Sequence, residues 1–297
     1  MSKLMGLFFV VHYFFTGAID VHAVCKSMSC VQIKQFQDEI QNDPQKFDSH
    51  YNLGVLFAAS GLYQDAVEMF QKAISLNPQS AEAHHRLGMA FSSLRMFDAA
   101  IVNSNKALLL DGSILEAQVN LVHAYDQLKR YDKIIDPLKI VIQAKPEDAQ
   151  YHSLLALAYH KLGRDEQVVA PLRSAVRLDP KRYQDFRLLG ETLLNLNRLE
   201  EAIDAFKVAV HEDSGLPETY YNLGTALATL GRYEEAIFPL KEAVRFKPNF
   251  YEPMVNLGVS YHKLGQKTEA IQYYEMALQL NPSLTEVQKY LTQLKAE

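Results

Sequence analysis

Apolar positions in this chain recur at helical spacing, and the pattern itself recurs. Ala66, Phe70, Ala73 and Ile74 mark one face of a helix. Seven leucines, Leu53, Leu87, Leu121, Leu155, Leu189, Leu223 and Leu257, stand 34 residues apart with no insertion. A small residue follows most of them: Gly54, Gly88, Gly190, Gly224 and Gly258, with Val122 and Ala156 as departures. Two further columns are mostly alanine, Ala66 to Ala270 and Ala73 to Ala277, broken by Ile134, Val168 and Val141. Between them a bulky residue recurs, as Phe70, Leu138, Leu172, Phe206, Leu240 and Tyr274, with Ser104 the exception.

These columns predict a helix, a short turn and a second helix, repeated. Small residues let two helices approach, and the bulky residue fills the gap opposite. Gly61, Gly163, Gly231 and Gly265 fall between the two helical patterns, where a reversal needs a permissive backbone. Pro78, Pro146, Pro180, Pro248 and Pro282 close the units, with Gly112 and Ser214 in two of those places. A proline lacks an N–H and disfavours helix just before it. A second set, Pro137, Pro171 and Pro239, falls inside the second helix of three units and reads as a shared kink that tunes curvature.

A fixed period of this length means one supersecondary unit stacked on its copies. The Leu-Gly pairs, the two alanine columns and the closing proline resemble the tetratricopeptide repeat family. Seven units start at Phe47, Ala81, Leu115, Ala149, Tyr183, Pro217 and Tyr251 and end at Leu284. The division is 47–80, 81–114, 115–148, 149–182, 183–216, 217–250 and 251–284. The family's frequent tryptophan is missing; His50, His84, Gln118, His152, Phe186, Tyr220 and Met254 fill that column. The resemblance implies an all-α, right-handed α-solenoid of helix-turn-helix repeats.

Residues 285–297 continue as one amphipathic helix, with Val287, Tyr290, Leu291 and Leu294 apolar, and read as a C-terminal capping helix. Residues 24–46 hold a leader and a second amphipathic helix through Val31, Ile33, Phe36 and Ile40. That helix either caps the first unit or begins a degenerate eighth one; we favour the cap. Residues 1–23 combine Lys3, an apolar stretch from Leu4 to Ile19 and the short residues of Val21-His22-Ala23. This resembles a secretory signal peptide cut after Ala23, and predicts a protein exported to a periplasm, the secretory pathway or the extracellular space. The alternative is an uncleaved membrane anchor, for which the apolar stretch is short. Cys25 and Cys30 are the only cysteines and form either one local disulfide or two unpaired thiols.

Composition narrows the function. Thirty basic and thirty-five acidic residues give a net charge of −5, and removing residues 1–23 leaves it unchanged. Mixed charge without a basic stripe argues against a nucleic-acid partner. The chain has no phosphate-binding glycine loop, no His-Glu-x-x-His and no Gly-x-Ser-x-Gly. We therefore expect no enzyme activity, no cofactor and no metal, and read the histidines as packing residues.

The resemblance places a groove along the first helices. One column there reads Asn52, Arg86, Asn120, Leu154, Leu188, Asn222 and Asn256. An asparagine side chain both donates and accepts, which suits the backbone of an extended peptide. The other reading is that it bonds neighbouring helices. Tyr51, Tyr221 and His123 are further groove candidates. The neighbouring column of Asp48, Glu82, Glu116, Gln150, Gln184, Glu218 and Glu252 is acidic or amide and lines one edge. The expected function is a noncatalytic scaffold or adaptor that binds a protein or an extended, neutral to basic peptide. The alternative is a substrate-recruiting subunit of a glycosyltransferase, secretion or envelope-assembly complex whose catalytic part is another chain.

Overall fold

The computed structural model describes residues 28–212 and 216–296, and the described residues form sixteen α-helices. The expected signal peptide and Cys25 lie outside the described residues, so the question of the cysteine pair does too. Contacts divide the chain into two compact units at Ala144 and Lys145.

The first unit holds α1 (Met28–Asn42), α2 (Phe47–Ala59), α3 (Tyr63–Leu76), α4 (Ala81–Ser93), α5 (Phe97–Leu110), α6 (Leu115–Gln127) and α7 (Tyr131–Ala144). The second begins with α8 (Ala149–Lys161), α9 (Asp165–Leu178), α10 (Tyr183–Asn195) and α11 (Leu199–Glu212). It ends with α12 (Pro217–Thr229), α13 (Tyr233–Phe246), α14 (Tyr251–Lys263), α15 (Lys267–Leu280) and α16 (Thr285–Ala296). From α2 to α15 the helices make seven pairs, and each pair starts 34 residues after the last. Within each unit every helix packs on the next, so the chain is a helical solenoid of antiparallel pairs.

The columns explain the packing. All seven leucines are buried, and the bulky and alanine columns are 0–2% exposed throughout. The glycine after the leucine faces the bulky residue of the same pair. A methyl group at Gly258 would sit 2.4 Å from the Tyr274 ring, and one at Gly190 would sit 2.6 Å from Phe206. Helix contact is therefore set by a missing side chain on one helix and a large one on the other. Burial of Tyr274 pushes its phenol up to about 12. The helices run on unbroken through Pro137, Pro171 and Pro239.

The turn inside each pair has one geometry. Gly61, Gly163, Gly231 and Gly265 have φ of 68–76°, and so do, nearly, the non-glycine residues in the same column: Arg95 at 61°, Lys129 at 57° and Asn197 at 58°. In each turn the next amide donates back across the helix end, as from Leu62 to the Phe57 carbonyl at 2.9 Å and from Gln266 to the Tyr261 carbonyl at 2.9 Å. This bond pattern closes a helix through one left-handed residue.

A second repeated device joins the pairs. His50, His84 and His152 place Nε2 at 3.0, 3.3 and 2.9 Å from the carbonyls of Pro44, Pro78 and Pro146. Gln288 of α16 does the same to Pro282 at 2.7 Å. The proline column thus begins at Pro44, one period before the first full pair. At the far end α16 covers α15, burying Val287 and Leu294 and stacking Tyr290 on Tyr274 at 6.2 Å. No helix among the described residues is long and apolar enough to cross a membrane.

Candidate functional site on the first helices

In both units the first helices of successive repeats touch directly, α2 with α4, α4 with α6, α10 with α12 and α12 with α14. No second helices of neighbouring repeats meet to that extent. The first-helix face is thus the tighter side of each unit. It carries all eight sequence candidates. Tyr51, Asn52, Arg86, Asn120 and His123 belong to the first unit, and Tyr221, Asn222 and Asn256 to the second.

The asparagines do different things. Asn120 is 8% exposed, and both ends of its amide are engaged. Its Nδ2 donates to Ser104 Oγ at 2.7 Å, and its Oδ1 accepts from Ser92 Oγ at 2.6 Å. The cluster ties α4, α5 and α6 together. It also explains the Ser104 exception. Opposite Gly88, where other pairs place Phe, Leu or Tyr, Ser104 leaves room that the Asn120 amide enters; a methyl at Gly88 would lie 3.3 Å from Asn120 Nδ2. Here the structure favours the helix-bonding reading of the asparagine over the groove reading.

Asn256 is intermediate. Its Nδ2 donates to Thr225 Oγ1 at 2.9 Å, linking α14 to α12. Asn52 and Asn222 are half-buried, and neither side chain hydrogen-bonds within the described residues. These two amides keep both donor and acceptor free at the helix surface.

Aromatic rings flank the free amides. Tyr51 stacks on Phe47 at 5.8 Å, tilts against Phe70 at 6.0 Å, and donates its hydroxyl to Glu82 at 3.3 Å. Burial pushes the Tyr51 phenol up. Tyr221 packs on Phe250 at 5.1 Å, and the Lys247 ammonium lies 4.6 Å from the centre of that second ring. His123 meets Phe97 edge-on at 5.7 Å. Burial holds the His123 imidazole below its usual pKa, against an opposing pull from Asp126.

The acidic edge is partly neutralised by the protein itself. Arg86 Nε donates to Glu82 at 2.8 Å, and Lys247 Nζ donates to Glu218 at 2.8 Å. The latter ion pair holds the Glu218 carboxyl below the usual range. Asp48, Glu116 and Glu252 make no ion pair among the described residues.

One buried polar link escaped the column reading. Ser153 of α8 donates to Asp185 of α10, and both residues are 9% exposed. Arg182 Nε donates to Asp185 Oδ2 at 2.5 Å and to Ser153 Oγ at 3.0 Å. The signal was present, since Asp185 stands where other pairs have Ser49, Ala83, Ala117 or Thr219. A carboxylate in a small buried column needs partners from the adjacent helix. Among the described residues no cluster of His, Cys, Asp and Glu could hold a metal ion.

A stack of antiparallel helix pairs with an amide- and aromatic-bearing inner face defines a helical-repeat protein of the interaction type. The chain belongs to the tetratricopeptide repeat family. Family models match residues 47–80, 217–250 and 252–284, residues 81–113 and 149–182, and residues 169–217, together more than half of the chain. The solved structure of YrrB, described as a TPR protein with an unusual peptide-binding site, is 25% identical. It covers 63% of this chain and 97% of its own, with a TM-score of 0.54. A MamA structure is 22% identical, covers 59% of this chain and 96% of its own, and has a TM-score of 0.52; it shares the fold. A search of curated proteins finds no significant match. The family is in general a noncatalytic protein-interaction scaffold.

Proposed function

We propose that the chain is a noncatalytic adaptor that holds an extended segment of a partner protein along its first helices. The supporting observation is the pair of unengaged, half-buried amides of Asn52 and Asn222 beside Tyr51 and Tyr221. A primary amide can donate to a peptide carbonyl and accept from a peptide N–H, and the adjacent ring supplies rigid apolar contact. One such place lies in each unit, and each by itself can take a short extended segment of a partner. That YrrB, a protein of similar fold, is described as having an unusual peptide-binding site supports this reading. Asp48, Glu116 and Glu252 favour a neutral to basic segment.

The test pairs N52A and N222A in one variant and compares partner retention with wild type. Loss of the partner with unchanged helicity supports the reading. Equal retention, or equal binding of acidic and basic peptides, sinks it. We further read residues 1–23 as an export leader. Mass determination of the chain isolated from an exporting host would show a new amino terminus at Val24, and an intact Met1 would point to an anchor instead.

A further inference from the structure

We propose that the first-helix face of the second unit selects its partner by a two-part pattern. One bulky apolar side chain of the segment seats on α8 and α10, and one basic side chain, about five or six residues away, meets α14. This rests on the groove reading above and adds the chemistry of the segment bound. The observation is that two columns change together along the first helices. Leu154 of α8 and Leu188 of α10 hold the place that Asn222 and Asn256 hold on α12 and α14. One turn earlier, Gln150 and Gln184 hold the place of Glu218 and Glu252. All four helices belong to one compact unit. In these columns one half of its face is apolar and uncharged, and the other is amide and acidic.

The two leucines are not core residues. Leu155 and Leu189, next along the chain, are 7% and 6% exposed, whereas Leu154 and Leu188 remain partly exposed, as does Leu157. Leucines gathered on a groove floor take an apolar guest. The charges around them are already matched. Arg187 Nη1 donates to Glu191 at 2.7 Å, and Arg182 and Ser153 both donate to Asp185. An apolar guest also buries whatever lines the edge beside it. Burying an unpaired carboxylate is costly, while a neutral amide gives up only its bonds to water. Gln150 and Gln184 in place of glutamates remove that larger cost.

On α12 and α14 the requirement reverses. Glu218 is paired with Lys247 at 2.8 Å, but Glu252 makes no ion pair among the described residues. Glu252 therefore fits a lysine or arginine of the segment. The opposite ends of α8 and α14 carry Lys161 and Lys263, both exposed, which steer a basic side chain toward the Glu252 edge. The spacing follows from the packing, since α10 touches α12 and α12 touches α14. Packed helices lie roughly 8–10 Å apart, so two steps span roughly 16–20 Å, which an extended chain at about 3.3 Å per residue covers in about five or six residues.

The probe is a fluorescein-labelled peptide of serine and alanine, about twelve residues long, with one leucine and one lysine about six residues apart. It is made in both chain orders, and its anisotropy is followed as the full chain is added at low salt. Control peptides replace the leucine by alanine or the lysine by glutamate. The expected result is binding in at least one chain order. Loss of the leucine should weaken it at least about tenfold, and glutamate in place of lysine about fivefold. Q184E/L188N gives α10 the residues of α12 and should erase the leucine preference while keeping the lysine preference. E252K should reverse the charge preference, so that the glutamate peptide binds more tightly. Circular dichroism checks that the variants stay folded, and E252K with the control peptides carries the test if the double variant is unstable. No binding of any peptide, a leucine preference that survives Q184E/L188N, or a lysine preference that survives E252K would overturn the inference. Binding with neither preference that N222A abolishes overturns the pattern and leaves the groove reading standing. Binding with neither preference that N222A leaves unchanged overturns both.

Discussion

Replacing Asn120 with alanine separates a packing asparagine from a free one. The substitution removes two hydrogen bonds, one from Asn120 to Ser104 and one from Ser92 to Asn120. Ser92 is half-exposed, so water can take over its lost acceptor. Ser104 is 0% exposed and opposite Gly88, so its hydroxyl is stranded beside a new void. Leaving one buried polar group without a partner costs about 1–3 kcal/mol, and the loss of buried amide contacts adds to it. A loss of ~2–3 kcal/mol is the expected total. Asn222→Ala breaks no intramolecular bond and should stay within ~0.5 kcal/mol of wild type. In a stack of repeats the damage also stays local, so hydrogen exchange should accelerate in α4, α5 and α6 and leave α12 to α15 unchanged. Ser104→Leu restores the residue type that faces glycine in other pairs, as Leu240 faces Gly224. Combined with Asn120→Ala, it should recover at least half of the loss. Urea titration of the four chains provides the comparison. Equal stability of Asn120→Ala and Asn222→Ala, or loosening spread evenly over both units, would refute the reasoning.

Other tests follow from the same contacts. Gly258→Ala drives a methyl to within 2.4 Å of the Tyr274 ring and should destabilise the last pair by about 1–3 kcal/mol, read as a lower urea midpoint. At Gly231 nothing lies within 4 Å of an added methyl. Gly231→Ala therefore reports the left-handed backbone alone, about 1–2 kcal/mol, and Arg95→Gly and Lys129→Gly should change stability in the opposite direction. Lowering the pH should release α1. The hydrogen bond from Lys46, with those from Ser49 and Gln35, lowers the Glu39 carboxyl from 4.5 to about 2. A depressed carboxylate stabilises the fold above its unfolded value, so the contribution disappears as pH falls from about 4.5 to 2. Exchange of the α1 amides across that range should speed up in wild type and show no such step in Glu39→Gln.

Much of the architecture is legible in the columns because each unit solves the same packing problem. Leu53 and its six copies, Gly54 against Phe70, and the alanines 66 and 73 all obey spacing rules that act within one pair. The helix pairs and the capping helix therefore follow from period and residue size. The turn column was half legible. Gly61 and three other glycines signal the left-handed residue, but Arg95, Lys129 and Asn197 adopt it without the signal, because the helix-end hydrogen bonds over-determine the turn.

The asparagine column shows what spacing leaves open. Asn52, Asn120, Asn222 and Asn256 are identical in residue and register, yet the amide of Asn120 is consumed and that of Asn222 is free. The difference lies in residues from other elements, Ser92 and Ser104 against none for Asn222, and no local pattern encodes it. The exposure of α1 is of the same kind. Phe36 stands in the column of Phe70, yet Phe70 is fully buried and Phe36 is partly exposed among the described residues. The sequence by itself determined the repeat, its period and the residues each pair buries, since those depend on contacts a fixed distance apart along the chain. The tertiary structure decided which polar groups are satisfied and which apolar faces stay exposed, because both depend on what adjacent repeats bring to the same place.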